Sequence, residues 1–333
     1  MSLPRIAITM GDPAGVGPEI CLHLLKHQAV LDKCTPIIFG DADVLRKCAE
    51  VTGLSEPDRI VDREEWSRDP AAVNSPAVLD LQVVRADQFT PGKVSAVTGN
   101  AGYQYIEAAI EAAMQETIDG VSTAPINKEA LRAAGVNYPG HTEIFAERSG
   151  AKRSCMMLTS DELTCSFVTV HVGYSEVPGL LSIERILEVI ELSADAIGRI
   201  RGRKPKLLAC GLNPHAGEHG LFGDSEEERI ITPALEKARA LGIDIVGPLP
   251  PDTAFLPDRR AEIDCFICMY HDQGHIPLKA LAFDKAINCT LGLPIIRTSV
   301  DHGTACDIAW QGKANPNSLY EAVLLAARWA NQA

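Results

Sequence analysis

Three histidines stand where an apolar, strand-like run gives way to a polar turn. They are His171 after Cys165-Ser-Phe-Val-Thr-Val, His215 after Leu207-Leu-Ala-Cys-Gly-Leu-Asn-Pro, and His271 after Cys265-Phe-Ile-Cys-Met-Tyr. Strand ends are rigid, and three imidazoles carried by separate strands can converge on one divalent cation while leaving positions open for a substrate. Taken singly, each is equally a residue that merely ends a strand. Their neighbours add chemistry. His215 lies in Asn213-Pro-His-Ala-Gly-Glu218, His271 is followed by Asp272, and Lys279, Asn288 and Arg297 come next in segments rich in turn residues. Carboxylates beside imidazoles orient metal ligands, and a lysine with an arginine offers a point charge and a bidentate fork to a small anion.

The elements that must position these groups alternate between strand-like and helix-like, the pattern of helices packed on both faces of a largely parallel sheet. Arg5–Met10 reads as a strand, Gly11–Gly17 as a turn, and Pro18 suits a first helical position in a helix over 18–28. A strand at 35–39 precedes a helix at 41–52, capped by Asp41 or Asp43 and stopped by Gly53. Further helices are expected over 95–118 and 127–134, the second running into the loop Gly135–Thr142. Residues 154–159 and 163–171 read as an antiparallel hairpin around Ser160 and Asp161, a second subdomain or an assembly arm. Ile183, Ile186, Leu187, Ile190 and Ile197 form a helical stripe, and a helix over 225–241 ends at Gly242.

The chain has 333 residues, 46% of them hydrophobic, enough for two domains or one large α/β unit. With 31 basic against 44 acidic side chains it is strongly acidic, which excludes a nucleic-acid partner that needs a basic footprint. An anionic substrate must be met locally. No apolar run reaches membrane-spanning length and the amino terminus has no signal pattern, so a cytoplasmic protein with no membrane partner is expected. Most of the ten cysteines sit in apolar runs and read as reduced core residues, the lone Cys265/Cys268 pair included. Gly11–Gly17 fits neither the dinucleotide fingerprint nor the P-loop and reads as a tight structural turn. His23 and His27, at helical spacing, read as packing residues.

A resemblance becomes specific in the run from His302 to Pro316. It is similar to the adenosine-binding loop of the metal-dependent β-decarboxylating isopropylmalate and isocitrate dehydrogenases, H-G-S-A-P-D-I-A-G-K-G-x-A-N-P, with Trp310 and Gln311 standing where those enzymes have Gly-Lys. Their amino-terminal G-D-G-I-G-P-E also resembles Gly11–Glu19. Nearly the whole chain resembles the 4-hydroxythreonine-4-phosphate dehydrogenase family of pyridoxal phosphate biosynthesis. The matching motifs are M-G-D-P-A-G-V-G-P-E at 10–19, P-G-H-T-E at 139–143, G-L-N-P-H-A-G-E at 211–218, G-P-L-P-P-D-T at 247–253, Y-H-D-Q-G at 270–274 and L-G-L-P-I-I-R-T-S-V-D-H-G-T-A at 291–305.

That resemblance implies an isocitrate/isopropylmalate dehydrogenase-like α/β fold of two α/β subdomains with a cleft between them. Residues 1–125 with 276–333 would form the cofactor side, and 126–275 the metal, substrate and dimerisation part. It implies that His171, His215 and His271 hold one divalent metal ion (zinc, magnesium, manganese or cobalt) and that His141, Thr142, Lys279, Asn288 and Arg297 bind the phosphorylated substrate. His302, Gly303, Thr304, Ala305, Asp307 and Asn315 would bind the cofactor, NAD rather than NADP because the Asp307 charge repels a 2′-phosphate. A homodimer with its site at the interface is also implied.

The reaction expected is oxidation of 4-phosphohydroxy-L-threonine to 2-amino-3-oxo-4-phosphooxybutanoate, which decarboxylates to 3-amino-2-oxopropyl phosphate. A metal on the substrate hydroxyl lowers its pKa and a nearby base takes the proton, with Asp252, Asp272 and Lys128 as candidates. His275-Ile-Pro-Leu-Lys and Ala282-Phe-Asp284 look more like the branch that oxidises D-threonate or D-erythronate 4-phosphate. A further relative acts on an aromatic cis-dihydrodiol carboxylate, against which the retained Lys279, Asn288 and Arg297 argue. A non-catalytic metabolite-binding protein is the alternative from another class, disfavoured by the intact motifs.

Overall fold

Runs of aliphatic and β-branched residues become twelve strands in a computed structural model that describes residues 3–282 and 285–332. They are β1 (Arg5–Thr9), β2 (Thr35–Gly40), β3 (Ile60–Val61), β4 (Ala77–Asp80), β5 (Gly120–Thr123), β6 (Cys155–Thr159), β7 (Thr164–Phe167), β8 (Lys206–Cys210), β9 (Asp244–Leu249), β10 (Cys265–Cys268), β11 (Ile287–Leu291) and β12 (Arg297–Val300). Phe283 and Asp284, which carry part of the branch resemblance, lie outside the described residues.

The chain gathers into two compact units, Met1–Ala151 with Leu293–Asn331, and Lys152–Gly292. In the first, the strand order is β3-β4-β2-β1-β5-β12 and every neighbouring pair is parallel. Ile6, Ala7 and Ile8 of β1 are wholly buried, as a strand covered on both faces requires. The chain passes from β1 to β2 on one side and to β5 on the other. In sheets of this kind, ligands commonly bind beyond the carboxyl ends of the strands at such a reversal of strand order, here β1 and β5.

The helix Ala42–Thr52 ends at Gly53, whose φ is 73°. Its amino end differs from the sequence expectation, because neither Asp41 nor Asp43 caps it; Asp80 Oδ1 accepts the Ala42 amide at 3.0 Å. Asp41, fully buried past β2, instead accepts the amides of Val83 and Val84 at 2.8 and 2.7 Å and the Tyr105 hydroxyl at 2.6 Å. Burial pushes its pKa up against those hydrogen bonds. With no water available, these tertiary donors took the carboxylate from the local helix end.

The second unit orders its strands β11-β6-β7-β10-β8-β9, with β11/β6 and β6/β7 antiparallel and the other pairs parallel. The hairpin around Ser160 and Asp161 is β6–β7, closed by the Ser160 amide donating to Leu163 O at 2.9 Å. Helix Ile183–Arg201 buries Ile186, Ile190 and Ile197, begins under the Ser182 hydroxyl cap and ends at left-handed Gly202. The helix expected over 225–241 opens instead with a wide turn at Glu227–Ile231 before Thr232–Ala240.

Both borders between the units lie away from 125 and 275. Leu131, Ile144 and Phe145 belong to the first unit's core, while β11 pairs with β6 and Leu278 joins the core of the second. No helix among the described residues is long and apolar enough to cross a membrane.

Candidate active site

Arg297 opens β12 and is 2% exposed, an enclosed cation in the first unit. Its Nη2 donates to Thr123 Oγ1 at 2.9 Å at the end of β5, and its guanidinium lies 5.5 Å from the centre of the Phe145 ring. Phe145 belongs to helix His141–Arg148, whose first residue is His141. Burial, then the charges of Arg297 and Lys128, hold the His141 pKa well below the usual histidine range. Its Nε2 is buried and has no hydrogen-bond partner among the described residues.

Lys128 opens the helix Lys128–Ala133, whose free amides at Glu129 and Ala130 are taken by Asn127 Oδ1 at 2.9 and 3.0 Å. Lys128 Cε lies 3.8 Å from where a Cβ on Gly140 would stand, beside the turn that carries His141 and Thr142. Two cations and a neutral imidazole thus converge within the first unit. Sequence reading assigned Lys128 to proton transfer and the other two to substrate; the structure makes them neighbours.

The Gly11–Gly17 turn is structural and is tied to the loop that follows β12. Asp12 is 2% exposed, accepts the Ala14 amide at 2.8 Å, and has its pKa raised by burial. The Val16 amide donates to Thr304 O at 3.0 Å, Trp310 Nε1 to Pro13 O at 3.1 Å, and the Ala314 amide to buried Glu19 Oε1 at 2.7 Å. A Cβ at Gly15 would meet Thr304 Cβ at 2.9 Å, so only glycine admits this approach. Trp310, held edge-on to Phe89, therefore locks the loop to the turn.

Of the proposed cofactor residues, Thr304 is buried and His302, Gly303 and Asp307 are exposed. Ala305 adopts a left-handed conformation, and Asn315 Oδ1 accepts the Asn317 amide at 3.0 Å, holding the loop where it enters the last helix.

The three histidines of the second unit occupy three different local structures. The β7 ladder continues past Phe167 as the Val168 and Thr169 amides donate to Cys268 and Met269 carbonyls, and His171 follows two residues later, exposed. His215 lies five residues beyond β8 in a left-handed run, with φ of 53° and its Nδ1 3.3 Å from Glu218. His271 is the first residue of helix His271–Ala282, with Nδ1 2.6 Å from Asp272 Oδ1.

The His171 and His271 rings are 5.9 Å apart, compatible with two imidazoles sharing one cation. Among the described residues no three potential ligands form a metal-holding group, and His215 is not drawn to the other two. The donor chemistry fits a borderline divalent cation through the His171/His271 pair. His275, one turn on, stacks on His271 at 3.5 Å, and burial lowers its pKa to about 4. Lys279 is on the same helix, Asn288 on β11, and Asp252 on the short helix Pro251–Ala254, which packs against the His215 segment.

Sequence reading missed the buried side chains that hold these segments. Glu227, 2% exposed, accepts the Leu212 and Asn213 amides, each at 2.8 Å, and Gln273 joins two strand ends. Glu227 stands in an acidic run, Ser225-Glu-Glu-Glu228, that reads as solvated surface; its only signal is position, one turn into an apolar-striped helix.

The fold and these groups define an α/β protein with Arg297, Lys128 and His141 gathered in its first unit and a histidine-rich second unit. A family model described as "Pyridoxal phosphate biosynthetic protein PdxA" matches residues 32–326, and the chain belongs to that family of dehydrogenases. It is 44% identical, over 97% of its length and 95% of the relative's, to a 4-hydroxythreonine-4-phosphate dehydrogenase of Desulfosudis oleivorans. It is 42% identical, over 99% and 98%, to a D-threonate 4-phosphate dehydrogenase of Cupriavidus necator. Among solved structures, a 4-hydroxythreonine-4-phosphate dehydrogenase from Burkholderia phymatum superposes with a TM-score of 0.84 at 40% identity, covering 99% of each chain.

Proposed function

We propose that the protein oxidises the secondary hydroxyl of 4-phosphohydroxy-L-threonine with NAD, giving 2-amino-3-oxo-4-phosphooxybutanoate, which loses carbon dioxide to form 3-amino-2-oxopropyl phosphate. The observation that carries this reading is the convergence of Arg297, Lys128 and neutral His141 in the first unit. A buried guanidinium fork with an imidazole and an ammonium beside it suits a phosphate ester, which offers acceptors to all three. Thr142 adds a hydroxyl in the same segment, and Lys279 and Asn288 of the second unit are further polar groups for the substrate.

His171, His271 and His215 would hold one divalent cation, zinc, magnesium, manganese or cobalt. When bound, it would lower the pKa of the substrate hydroxyl, while nicotinamide takes the hydride. Asp272, bonded to His271 Nδ1, orients that ring, which leaves Lys128 and Asp252 as candidates to receive the proton. His302, Gly303, Thr304, Ala305, Asp307 and Asn315 form the cofactor loop, with exposed Asp307 selecting NAD over NADP. A homodimer is supported by large apolar side chains exposed near the histidines, among them Val172, Tyr174, Leu221, Phe222 and Ile276.

A second reading, D-threonate 4-phosphate, is supported by the Cupriavidus necator relative and by the His275–Lys279 segment. The test is NADH production by purified protein from both phosphorylated acids and their unphosphorylated forms, with and without chelator. One phosphorylated acid is expected to be strongly preferred and chelation to abolish turnover. Full activity after complete metal removal, or equal use of the unphosphorylated acid, would overturn the proposal.

A further inference from the structure

We infer that the first unit carries a second small-molecule site, between helices Arg63–Arg68 and Ala96–Met114, whose ligand is an α-amino acid with a large apolar side chain. Phe39 of β2 and Leu79 of β4, buried and paired in the ladder, floor a cavity there of about 400 Å³, inside the roughly 300–1,000 Å³ range of small-molecule sites. Trp66 forms one wall, its ring edge-on to Phe39 at 5.6 Å between centres. The opposite wall is one face of helix Ala96–Met114, on which Ala108 and Ala112 present only methyl groups. These short side chains leave open a space over the sheet that a larger pair would fill. None of the lining residues belongs to the group of Arg297, Lys128 and His141, so the inference does not rest on the proposed reaction.

Two opposite charges stand at the mouth. Arg63 and Glu111 line the cavity from its exposed side, and among the described residues neither is ion-paired, whereas Arg59, Arg68 and Arg85 of the same unit each meet a carboxylate. Arg63 donates from Nε and Nη2 to Leu81 O at 3.0 and 2.7 Å, which fixes the guanidinium and leaves Nη1 for a ligand. Glu111 Oε1 accepts from Gln115 Nε2 at 3.2 Å, which leaves Oε2. A carboxylate and an ammonium on one carbon meet both groups by charge-assisted hydrogen bonds, while an acid or an amine alone leaves one of them unmatched. The apolar side chain then runs inward over Trp66 and Phe39. Trp66 is oriented before a ligand arrives, because the Arg5 guanidinium lies 5.5 Å from the centre of its ring and donates to the carbonyl of Pro70, another lining residue.

The test is a ligand-observed NMR titration of the full-length protein with L-phenylalanine, with hydrocinnamate, which lacks the ammonium, and with phenethylamine, which lacks the carboxylate. L-phenylalanine is expected to bind with a Kd of about 1 mM or tighter, the scale for a ligand of its size. Each analogue should bind at least about tenfold more weakly, having lost one charge-assisted contact. Arg63→Gln should weaken L-phenylalanine to the level of phenethylamine and leave phenethylamine itself unchanged. Glu111→Gln should weaken it to the level of hydrocinnamate and leave hydrocinnamate unchanged. Ala108→Leu, which fills the gap, should abolish binding of all three, and Arg297→Met should alter none.

No binding of L-phenylalanine at ten times that concentration overturns the inference, as does wild-type affinity in Arg63→Gln. Equal affinity for hydrocinnamate overturns the amino-acid assignment. Binding that is lost in Arg297→Met puts the ligand at the Arg297 group and overturns the second site, whatever that variant does to the proposed reaction. Should Ala108→Leu not fold, the exposed-site variants Arg63→Gln and Glu111→Gln decide.

Discussion

The two units carry their chemistry in opposite conditions. In the first, Arg297 is 2% exposed against Thr123 and Phe145, and His141 is held neutral by burial and by cationic neighbours. In the second, His171 and His215 are exposed, and large apolar side chains such as Leu221 (70% exposed) and Tyr174 (73% exposed) stand beside them. A buried polar group is oriented before its ligand arrives, because any other arrangement would leave it unsatisfied. An exposed imidazole with an apolar rim is oriented only once something covers it. On the proposed reading the first unit is prepared for an anion by its own fold, and the second would gain its final order from a cation and a second copy of the chain.

The largest test of this contrast is Arg297→Met. It should lower kcat/KM by roughly 10³-fold, near 4 kcal/mol, the scale of losing a buried charge partner, with the effect confined to phosphorylated substrate. A loss shared equally with unphosphorylated analogues would show that Arg297 serves the fold and not the anion. His215→Ala comes next, with metal content measured on the purified variant. Cation affinity should fall by more than about 100-fold while melting without metal changes little, as exposed side chains away from the core allow. Unchanged metal content removes His215 from the ligand set.

Leu221→Glu probes the apolar rim. Sedimentation should register a shift from dimer toward monomer, with activity down by about tenfold and restored at high protein concentration. A variant that remains dimeric and active would leave the second unit complete by itself. The smallest effect concerns that unit's interior. Burial raises the Asp264 pKa, but the hydrogen bonds from Arg203 and the Lys206 amide and the charges of Arg203 and Arg201 outweigh it, so the carboxyl sits below its ordinary range. A depressed carboxyl stabilises the fold above its unfolded pKa, near 3.9, and that share is lost as pH falls through the folded value. Asp264→Asn should therefore lower stability at neutral pH and flatten the acid-side decline below about pH 4 in thermal melts. An unchanged acid limb would mean that the pair is screened by solvent.

The amino-acid order was enough to read the mixed α/β class, the β6–β7 hairpin, the left-handed stops at Gly53 and Gly242, and the structural nature of the Gly11–Gly17 turn. These follow from local rules, since periodicity, cap chemistry and glycine conformation act within a few residues. It misread the Asp41 cap, where Val83, Val84 and Tyr105 outcompeted the helix end from more than 40 residues away. It did not find Glu227 or Gln273, whose partners are backbone groups that carry no residue-type signal.

By itself the sequence determined which side chains have the chemistry to meet an anion or a cation, the class of fold, and the family. Only the tertiary structure decided that Lys128 stands with His141 and Arg297, that Trp310 fastens its loop to Pro13, and that the three histidines begin from a strand extension, a left-handed turn and a helix start. The physical reason is distance. Residue type and spacing report what a group can do, while desolvation, charge neighbours and shared hydrogen bonds depend on segments that meet only after folding.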